Sequence, residues 1–173
     1  MSFTLYSRDM RERLSITLLG AAAALLAGAL FMEHVMGLAP CALCLMQRLW
    51  VGAVGIIAWA GFLHGAGRVA YPIAAAVAAV IGGGFSVRQL YLQHLPPDQV
   101  PSCGPELDYM LEVFPAADVW KAMTFGTGNC AEVGWTFLGL GIAGWALLGF
   151  LALLTLALLY AAAAFGGRRH PAA

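Results

Sequence analysis

Residues 41–63 read CALCLMQRLWVGAVGIIAWAGFL, and this stretch decides the fold because it joins a Cys-x-x-Cys motif to a long apolar segment. A helix needs about 20 predominantly apolar residues to cross a bilayer, and residues 45–63 approach that length. The strongly polar side chains in this segment are Gln47 and Arg48, both near its start. The stretch therefore predicts a membrane-spanning helix with two thiols and one fixed positive charge near its N-terminal end.

The composition of the whole chain favours several such spans. Its 173 residues are 61% hydrophobic and 10% charged, whereas soluble domains carry about 25% charged residues. The predicted spans are residues 14–32, 45–63, 69–87 and 138–160, with outer loops at residues 33–44 and 88–134. We therefore expect an all-α membrane protein, a bundle of four transmembrane helices formed by one domain over residues 1–173. A cleaved signal peptide is the alternative for residues 14–32, but this apolar stretch exceeds the usual signal length.

The distribution of charge predicts the orientation in the membrane. Positive charges collect on the cytoplasmic side of membrane proteins. One predicted face carries six cations: Arg8, Arg11, Arg13, Arg68, Arg168 and Arg169. The opposite face carries seven acids: Glu33, Asp98, Glu106, Asp108, Glu112, Asp118 and Glu132. Both termini are therefore expected in the cytoplasm and all four cysteines on the outer face, where a periplasm-like compartment permits disulfides. The net charge of zero gives no indication of nucleic-acid binding.

The predicted loop 88–134 is unusually long for a connection between helices, and connections of this length are usually either functional or disordered. It contains five prolines, which restrict long helices: Pro96, Pro97, Pro101, Pro105 and Pro115. Within it, apolar residues between positions 113 and 125 recur at helical spacing. They predict either a short amphipathic helix on the bilayer surface, anchored by Trp120, or a loop segment packed on the bundle.

The Cys41–Cys44 motif allows three interpretations. A structural disulfide at this spacing closes almost no loop and so stabilises little. A four-thiolate metal site with Cys103 and Cys130 has the right number of ligands, but an oxidising compartment competes for the thiols. A redox-active pair is favoured, because a helix start and the nearby Arg48 both stabilise a thiolate. A c-type haem site is excluded because Leu45, not histidine, follows the second cysteine.

The sequence leaves two interpretations open for Arg48 and two for the second pair of cysteines. Arg48 lies four residues after Cys44 and so shares its helix face. It is either an interface anchor that reaches towards the headgroups or a counter-ion for a thiolate that also donates to a bound electron acceptor. Cys103 and Cys130 are either a structural staple of the long loop or a second redox pair, which would exchange disulfides with the first.

Several motifs together resemble the disulfide bond formation protein B (DsbB) family, the membrane oxidases of bacterial thiol oxidation. They are the Pro-Cys-x-x-Cys-Leu-x-Gln-Arg pattern over residues 40–48, CGPELDY over residues 103–109, GNCAE over residues 128–132 and WTFLG over residues 135–139. The resemblance covers nearly the whole chain. It implies an inner-membrane protein-dithiol:quinone oxidoreductase that reoxidises a soluble periplasmic thiol oxidase of the DsbA type.

The resemblance also implies roles for individual residues. Cys103–Cys130 would be the pair attacked by the reduced partner, with Cys103 forming the mixed disulfide, and Cys41–Cys44 would receive the electrons. Cys44 would face the quinone (ubiquinone or menaquinone), Arg48 would stabilise the thiolate, and Gln89 is the best match to a polar residue near the quinone. No metal, haem or flavin is expected. The alternatives are a non-enzymatic membrane subunit or small transporter with two structural disulfides, and an enzyme similar to vitamin K epoxide reductase.

Overall fold

The structure, a computed structural model, describes residues 2–65, 68–104 and 107–166. The side chains of residues 2–8, 107, 108 and 111 are outside this description. Six residues used in the sequence-based expectations are therefore not fully described. Pro105, Glu106, Arg168 and Arg169 lie outside the described residues, and the side chains of Arg8 and Asp108 do so as well.

Four long helices form the body of the protein. They are α1 (Ser2–His34), α2 (Ala42–Leu63), α3 (Ala70–Gln93) and α6 (Ile142–Gly166). In the described part of the chain, four segments have the length and apolar composition needed to cross a membrane: Asp9–His34, Ala42–Leu63, Ala70–Gln93 and Ile142–Gly166. The predicted bundle of four transmembrane helices is thereby confirmed.

The helices pack in a closed ring in which α1 contacts α2, α2 contacts α3, α3 contacts α6 and α6 returns to α1. The core between them combines large side chains with many alanines, including fully buried Leu18, Ala75 and Tyr160. Small residues let membrane helices approach closely, which increases their van der Waals contact. Gly82 of α3 shows this requirement, because a Cβ there would collide with the ring of Phe150 and lie 2.9 Å from Trp50 Cβ.

At the end of the bundle that carries the cysteines, the two helix boundaries that differ most from the expectation are the end of α3 and the start of α6. Helix α3 continues to Gln93 instead of ending near residue 87, because the first proline of the loop is Pro96. Helix α6 begins at Ile142 instead of residue 138, because β1 (Thr136–Phe137) and β2 (Leu140–Gly141) form a small antiparallel hairpin before it. Leu138 and Gly139, with φ of 52° and 79°, make its two-residue turn, as such tight hairpins require.

The long segment between α3 and α6 folds over the start of α2. It contains α4 (Leu107–Val113), α5 (Ala116–Phe125) and a 3-10 turn at Gly128–Cys130. Val119 and Ala122 of α5 are buried, whereas Trp120 on the other side of the helix is 64% exposed. A short amphipathic helix thus exists, and its buried side packs towards α4 and the bundle, leaving Trp120 free to meet the surroundings.

Candidate functional site

Cys41 and Cys44 lie at the first turn of α2, and Cys41 is its N-cap residue. Its backbone is extended, and its Sγ accepts a hydrogen bond of 3.4 Å from the backbone N–H of Cys44. Pro40 immediately before it suits a chain that is entering a helix. The two Sγ atoms are 2.7 Å apart, and both residues are free thiols in the structure. Conversion between dithiol and disulfide therefore needs little movement of the backbone.

Cys130 lies against Cys41, although the two residues are far apart in the chain. Cys130 is completely buried in a small cluster with Ala42, Leu43 and Leu92, which Cys41 also contacts. A hydrogen bond from the Cys41 thiol lowers the pKa of Cys130 to about 6, and backbone hydrogen bonds at Leu43 and Thr127 act in the same direction. The same bond raises the pKa of Cys41, so Cys41 remains the protonated donor and Cys130 becomes the thiolate.

Cys103 is exposed, in contrast to Cys130, but its segment is attached to the 3-10 turn that carries Cys130. The N–H of Gly128 donates to Ser102 O over 3.2 Å, and Asn129 Nδ2 donates to Gly104 O over 3.2 Å. Gly128 allows this close approach, because a Cβ there would lie 2.9 Å from Cys103 N and 3.0 Å from Cys103 Sγ. All four cysteines therefore lie at the same end of the bundle.

Gln89, a buried glutamine of α3, contacts the Cys41–Cys44 pair, and Gln47, a buried glutamine of α2, contacts Gln89. Gln89 Nε2 lies 3.4 Å from Cys41 Sγ and 3.4 Å from Cys44 Sγ. Gln47 of α2 donates from Nε2 to Gln89 Oε1 over 2.8 Å. Both side chains are almost completely removed from the surface, so these contacts satisfy polar groups that would otherwise be costly to bury.

Arg48 points towards α1. Its guanidinium forms an ion pair with Glu33 and donates to the Ala29 carbonyl oxygen over 3.0 Å. The Arg48 side chain is 19% exposed and that of Glu33 is 30% exposed, so the pair is largely shielded by protein. Two of the five guanidinium N–H donors have these partners, which leaves others for a ligand.

An apolar cavity of about 330 Å³ opens between α1, α2 and α6. The side chains that bring chemistry to its wall are Cys44, Gln47 and Arg48, and the aromatic ones are Trp135, Trp145 and Phe150. Gln89 is not part of this wall; it lies on the other side of the cysteine pair, on α3. The cavity therefore places a thiol and a cation beside a space that suits a flat apolar ligand.

Sequence reasoning missed two parts of this site. Glu33 was not recognised as the partner of Arg48, although a carboxylate and a cation at the same end of consecutive spans could have suggested the pair. Trp145 was not recognised as a cavity residue, because a tryptophan in an apolar helix looks the same in sequence whether it faces lipid or a pocket. Its indole N–H donates to Phe137 O over 3.1 Å, which ties the hairpin to α6.

Four apolar helices with two thiols at a helix start and two more in an adjoining loop define a membrane protein of thiol–disulfide exchange. The family model "Disulfide bond formation protein DsbB" matches residues 11–160, and the chain belongs to this family. It is therefore a multi-pass inner-membrane protein of disulfide bond formation, with the role of a disulfide-forming oxidoreductase.

Curated relatives agree with this assignment. "Disulfide bond formation protein B" of Marinobacter nauticus is 50% identical over 139 residues, which cover 79% of this chain and 83% of the relative. The protein of the same name from Stutzerimonas stutzeri is 45% identical over 144 residues, which cover 82% of this chain and 88% of the relative. "Disulfide bond formation protein B 1" of Pseudomonas aeruginosa is 41% identical over 137 residues, covering 78% and 84%. The resemblance found in the motifs is confirmed.

Proposed function

We propose that this protein reoxidises a soluble, DsbA-like periplasmic thiol oxidase and passes the electrons through its two cysteine pairs to a membrane quinone. The observation that carries the proposal is the position of Cys44, which shares the wall of an apolar cavity with Arg48. The cysteines face the periplasm and both termini face the cytoplasm, which the collection of six of the eight arginines on the predicted cytoplasmic face supports.

Electrons enter at Cys103, the exposed cysteine. A thiolate of the reduced partner attacks Cys103 Sγ and breaks its disulfide with Cys130, so that a mixed disulfide forms and Cys130 leaves as a thiolate. The largest cause of the low pKa of Cys130, the Cys41 thiol, is absent at this step because Cys41 is still in its disulfide with Cys44. Backbone hydrogen bonds at Leu43 and Thr127 also lower the pKa of Cys130, and they favour it as the leaving group. The burial of Cys130 favours attack on Cys103, because a protein partner can reach only the exposed sulfur.

Transfer between the pairs uses the contact of Cys130 with Cys41. The Cys130 thiolate attacks Cys41 Sγ, which breaks the Cys41–Cys44 disulfide and releases Cys44 as a thiolate. The partner's second thiol then resolves the mixed disulfide, and the freed Cys103 thiolate attacks Cys130 Sγ. This last exchange restores Cys103–Cys130 and leaves Cys41 and Cys44 reduced. The partner has lost two electrons and two protons, and Cys41 and Cys44 hold the electrons.

The cavity beside Cys44 fits a quinone ring. Its volume of about 330 Å³ lies at the lower end of the range of small-molecule sites, and its wall is mainly apolar and aromatic. When bound, ubiquinone or menaquinone supplies an acceptor for two electrons and two protons. Cys44 presents the sulfur to that space, and Arg48 contributes a positive charge and N–H donors that suit a ring oxygen gaining negative charge.

A reconstituted reaction tests the proposal. Purified protein in detergent is mixed with a short-chain quinone and a reduced periplasmic dithiol protein, and quinone reduction is followed by absorbance. We expect catalytic quinone reduction that depends on both proteins and is abolished by Cys44→Ser. A reduced partner that keeps only its attacking cysteine should accumulate on Cys103 of the four-cysteine protein, because its thiolate displaces Cys130 and no second partner thiol is present to resolve the mixed disulfide. The relay is wrong if the partner is trapped on Cys44 and turnover survives without Cys103 and Cys130.

A further inference from the structure

The side chains of Gln47 and Gln89 form a pair of amides inside the bundle, next to the reacting sulfurs. Gln47 is 5% exposed and Gln89 is 4% exposed. Each stands on a different helix, α2 and α3, and they meet through a direct hydrogen bond of 2.8 Å. Polar side chains are rarely buried in a membrane bundle without a function, because an apolar pair of similar shape would pack there without desolvation.

The direction of the hydrogen bond between the two amides determines which group of Gln89, its NH₂ or its oxygen, faces the cysteine sulfurs. Gln47 Nε2 donates to Gln89 Oε1, which turns the NH₂ group of Gln89 towards the cysteines. That group lies 3.4 Å from Cys41 Sγ and 3.4 Å from Cys44 Sγ. Gln89 Oε1 lies 3.8 Å from Cys44 Sγ, where it can accept from the thiol while this is protonated. Amide N–H groups only donate, and a thiolate accepts more strongly than a disulfide sulfur.

We propose that Gln89 stabilises the reduced, thiolate form of the Cys41–Cys44 pair by donating its amide hydrogens to the sulfurs, and that Gln47 is a positioning residue that orients Gln89. In the half-reaction, the disulfide takes up two electrons and one proton and gives one thiol and one thiolate. Stabilising that product makes the pair a stronger oxidant of the Cys103–Cys130 pair. The inference rests on the proposed function in one respect, that Cys41 and Cys44 are redox-active.

The effect is measured as a thiol–disulfide equilibrium without quinone or partner protein. In a Cys103→Ser/Cys130→Ser background, only Cys41 and Cys44 remain, and their reduced fraction is determined in dithiothreitol redox buffers by alkylation. In this assay each molecule of dithiothreitol supplies the two electrons and becomes a cyclic disulfide. We expect Gln89→Met to shift the equilibrium about tenfold towards the disulfide, which corresponds to a potential about 30 mV lower. Gln93→Met is the matched control on the same helix and should leave the equilibrium unchanged.

The double variant Gln47→Met/Gln89→Met separates the orienting role from a general loss of packing. Gln47→Met alone should shift the equilibrium in the same direction by a smaller factor, and adding it to Gln89→Met should change nothing further, because it acts through Gln89. Replacing both amides leaves neither polar group unpaired, so the double variant should fold even where a single one is destabilised.

Two results would overturn the inference while leaving the proposed function intact. One is an unchanged equilibrium in Gln89→Met and in the double variant. The other is an additive shift from Gln47→Met, which would show that the two amides act separately. Failure of the proposed function looks different: the four-cysteine protein would not reduce quinone, whatever the equilibrium of the isolated Cys41–Cys44 pair.

Discussion

Arg48 is a charged residue in a membrane-spanning helix whose partner stands on the neighbouring helix. Its ion pair with Glu33 and its bond to Ala29 O fix the guanidinium at the cavity wall. The free-energy cost of placing a charge in the membrane is lower near the end of a span than at its centre, and a carboxylate partner lowers it further. The two interpretations of Arg48 from the sequence, as an anchor and as a functional cation, are therefore compatible in geometry and have to be separated by kinetics.

We predict that Arg48→Met weakens the use of quinone by about 10- to 100-fold in kcat/KM, the range expected for a hydrogen bond to a developing charge. Arg48→Lys should recover only part of this loss, because an ammonium lacks the planar fork of the guanidinium. The exchange of thiols with the soluble partner should change little. Arg88→Met is the control, because Arg88 lies on α3 and donates to Phe125 O, away from the cavity. Unchanged quinone kinetics in Arg48→Met would mean that the residue is only an anchor.

Cys130 provides a pH-dependent signal. Its pKa of about 6 predicts that the thiolate is present at neutral pH and is lost as the pH falls through about 6, whereas an ordinary thiol is already protonated below about 8. The measurement is the ultraviolet absorbance of the thiolate in a reduced Cys44→Ser/Cys103→Ser variant, in which Cys41 stays protonated.

Removing the hydrogen-bond donor should raise that midpoint. Adding Cys41→Ala to the same variant takes away the thiol that stabilises the Cys130 thiolate, so the transition should move towards the range of an ordinary thiol. An ordinary midpoint already present with Cys41 intact would contradict the contact between the two sulfurs as the cause.

The local sequence singles out the four cysteines and Arg48 as candidate site residues, but it does not reveal their contacts with one another. The Cys-x-x-Cys spacing and the nearby Arg48 are local patterns with a direct chemical meaning. The contact of Cys130 with Cys41 depends on how the segment between α3 and α6, residues 94–141, folds over α2, and no periodicity in the sequence predicts that. Gln89 was expected near the quinone from resemblance alone, and its bonds to the sulfurs depend on α3 remaining helical beyond residue 87.

At the scale of elements, the 3-10 turn at Gly128–Cys130 joins the exposed and the buried cysteine. We predict that Gly128→Ala lowers the rate of exchange with the soluble partner, because its Cβ would lie 2.9 Å from Cys103 N and displace that segment. Reduction of quinone by a small dithiol that bypasses Cys103 should be less affected. The rate of oxidation of the partner measures the first effect.

Gly134→Ala is the matched control for that variant. Gly134 lies in the same segment between α3 and α6, and a Cβ there would meet nothing within 4 Å. Equal rates for the two alanine variants would show that the close approach of Gly128 to Cys103 has no part in the reaction.

The number of membrane-spanning helices could be predicted from the sequence, whereas the residues at which they end were harder to predict. Apolar composition alone identifies four spans, because lipid admits few charges. It does not reveal where α6 begins, since residues 136–141 contain no charged side chain and run directly into the apolar helix that follows. The hairpin there needs a left-handed backbone at Leu138, a conformation that a leucine gives little reason to expect.

At the scale of the whole molecule, the orientation in the membrane is open to direct measurement. We predict that a membrane-impermeant alkylating reagent added from the periplasmic side reaches the reduced cysteines, and that the same reagent confined to the cytoplasm does not. Cys103 should react first because it is exposed, and Cys130 last because it is completely buried. Labelling from the cytoplasmic side only would reverse the proposed topology.

The Arg48–Glu33 ion pair also bears on how the chain enters the bilayer during synthesis. Helix α2 alone would carry an unpaired guanidinium into lipid, at a cost of up to about 2.5–3.5 kcal/mol. Helix α1 leaves the ribosome first, so Glu33 is already in place when Arg48 arrives, and residues 35–41 are a short connection between them. The two helices can then leave the translocation channel together as a hairpin whose charges are already neutralised, and the insertion of α2 comes to depend on the helix made before it.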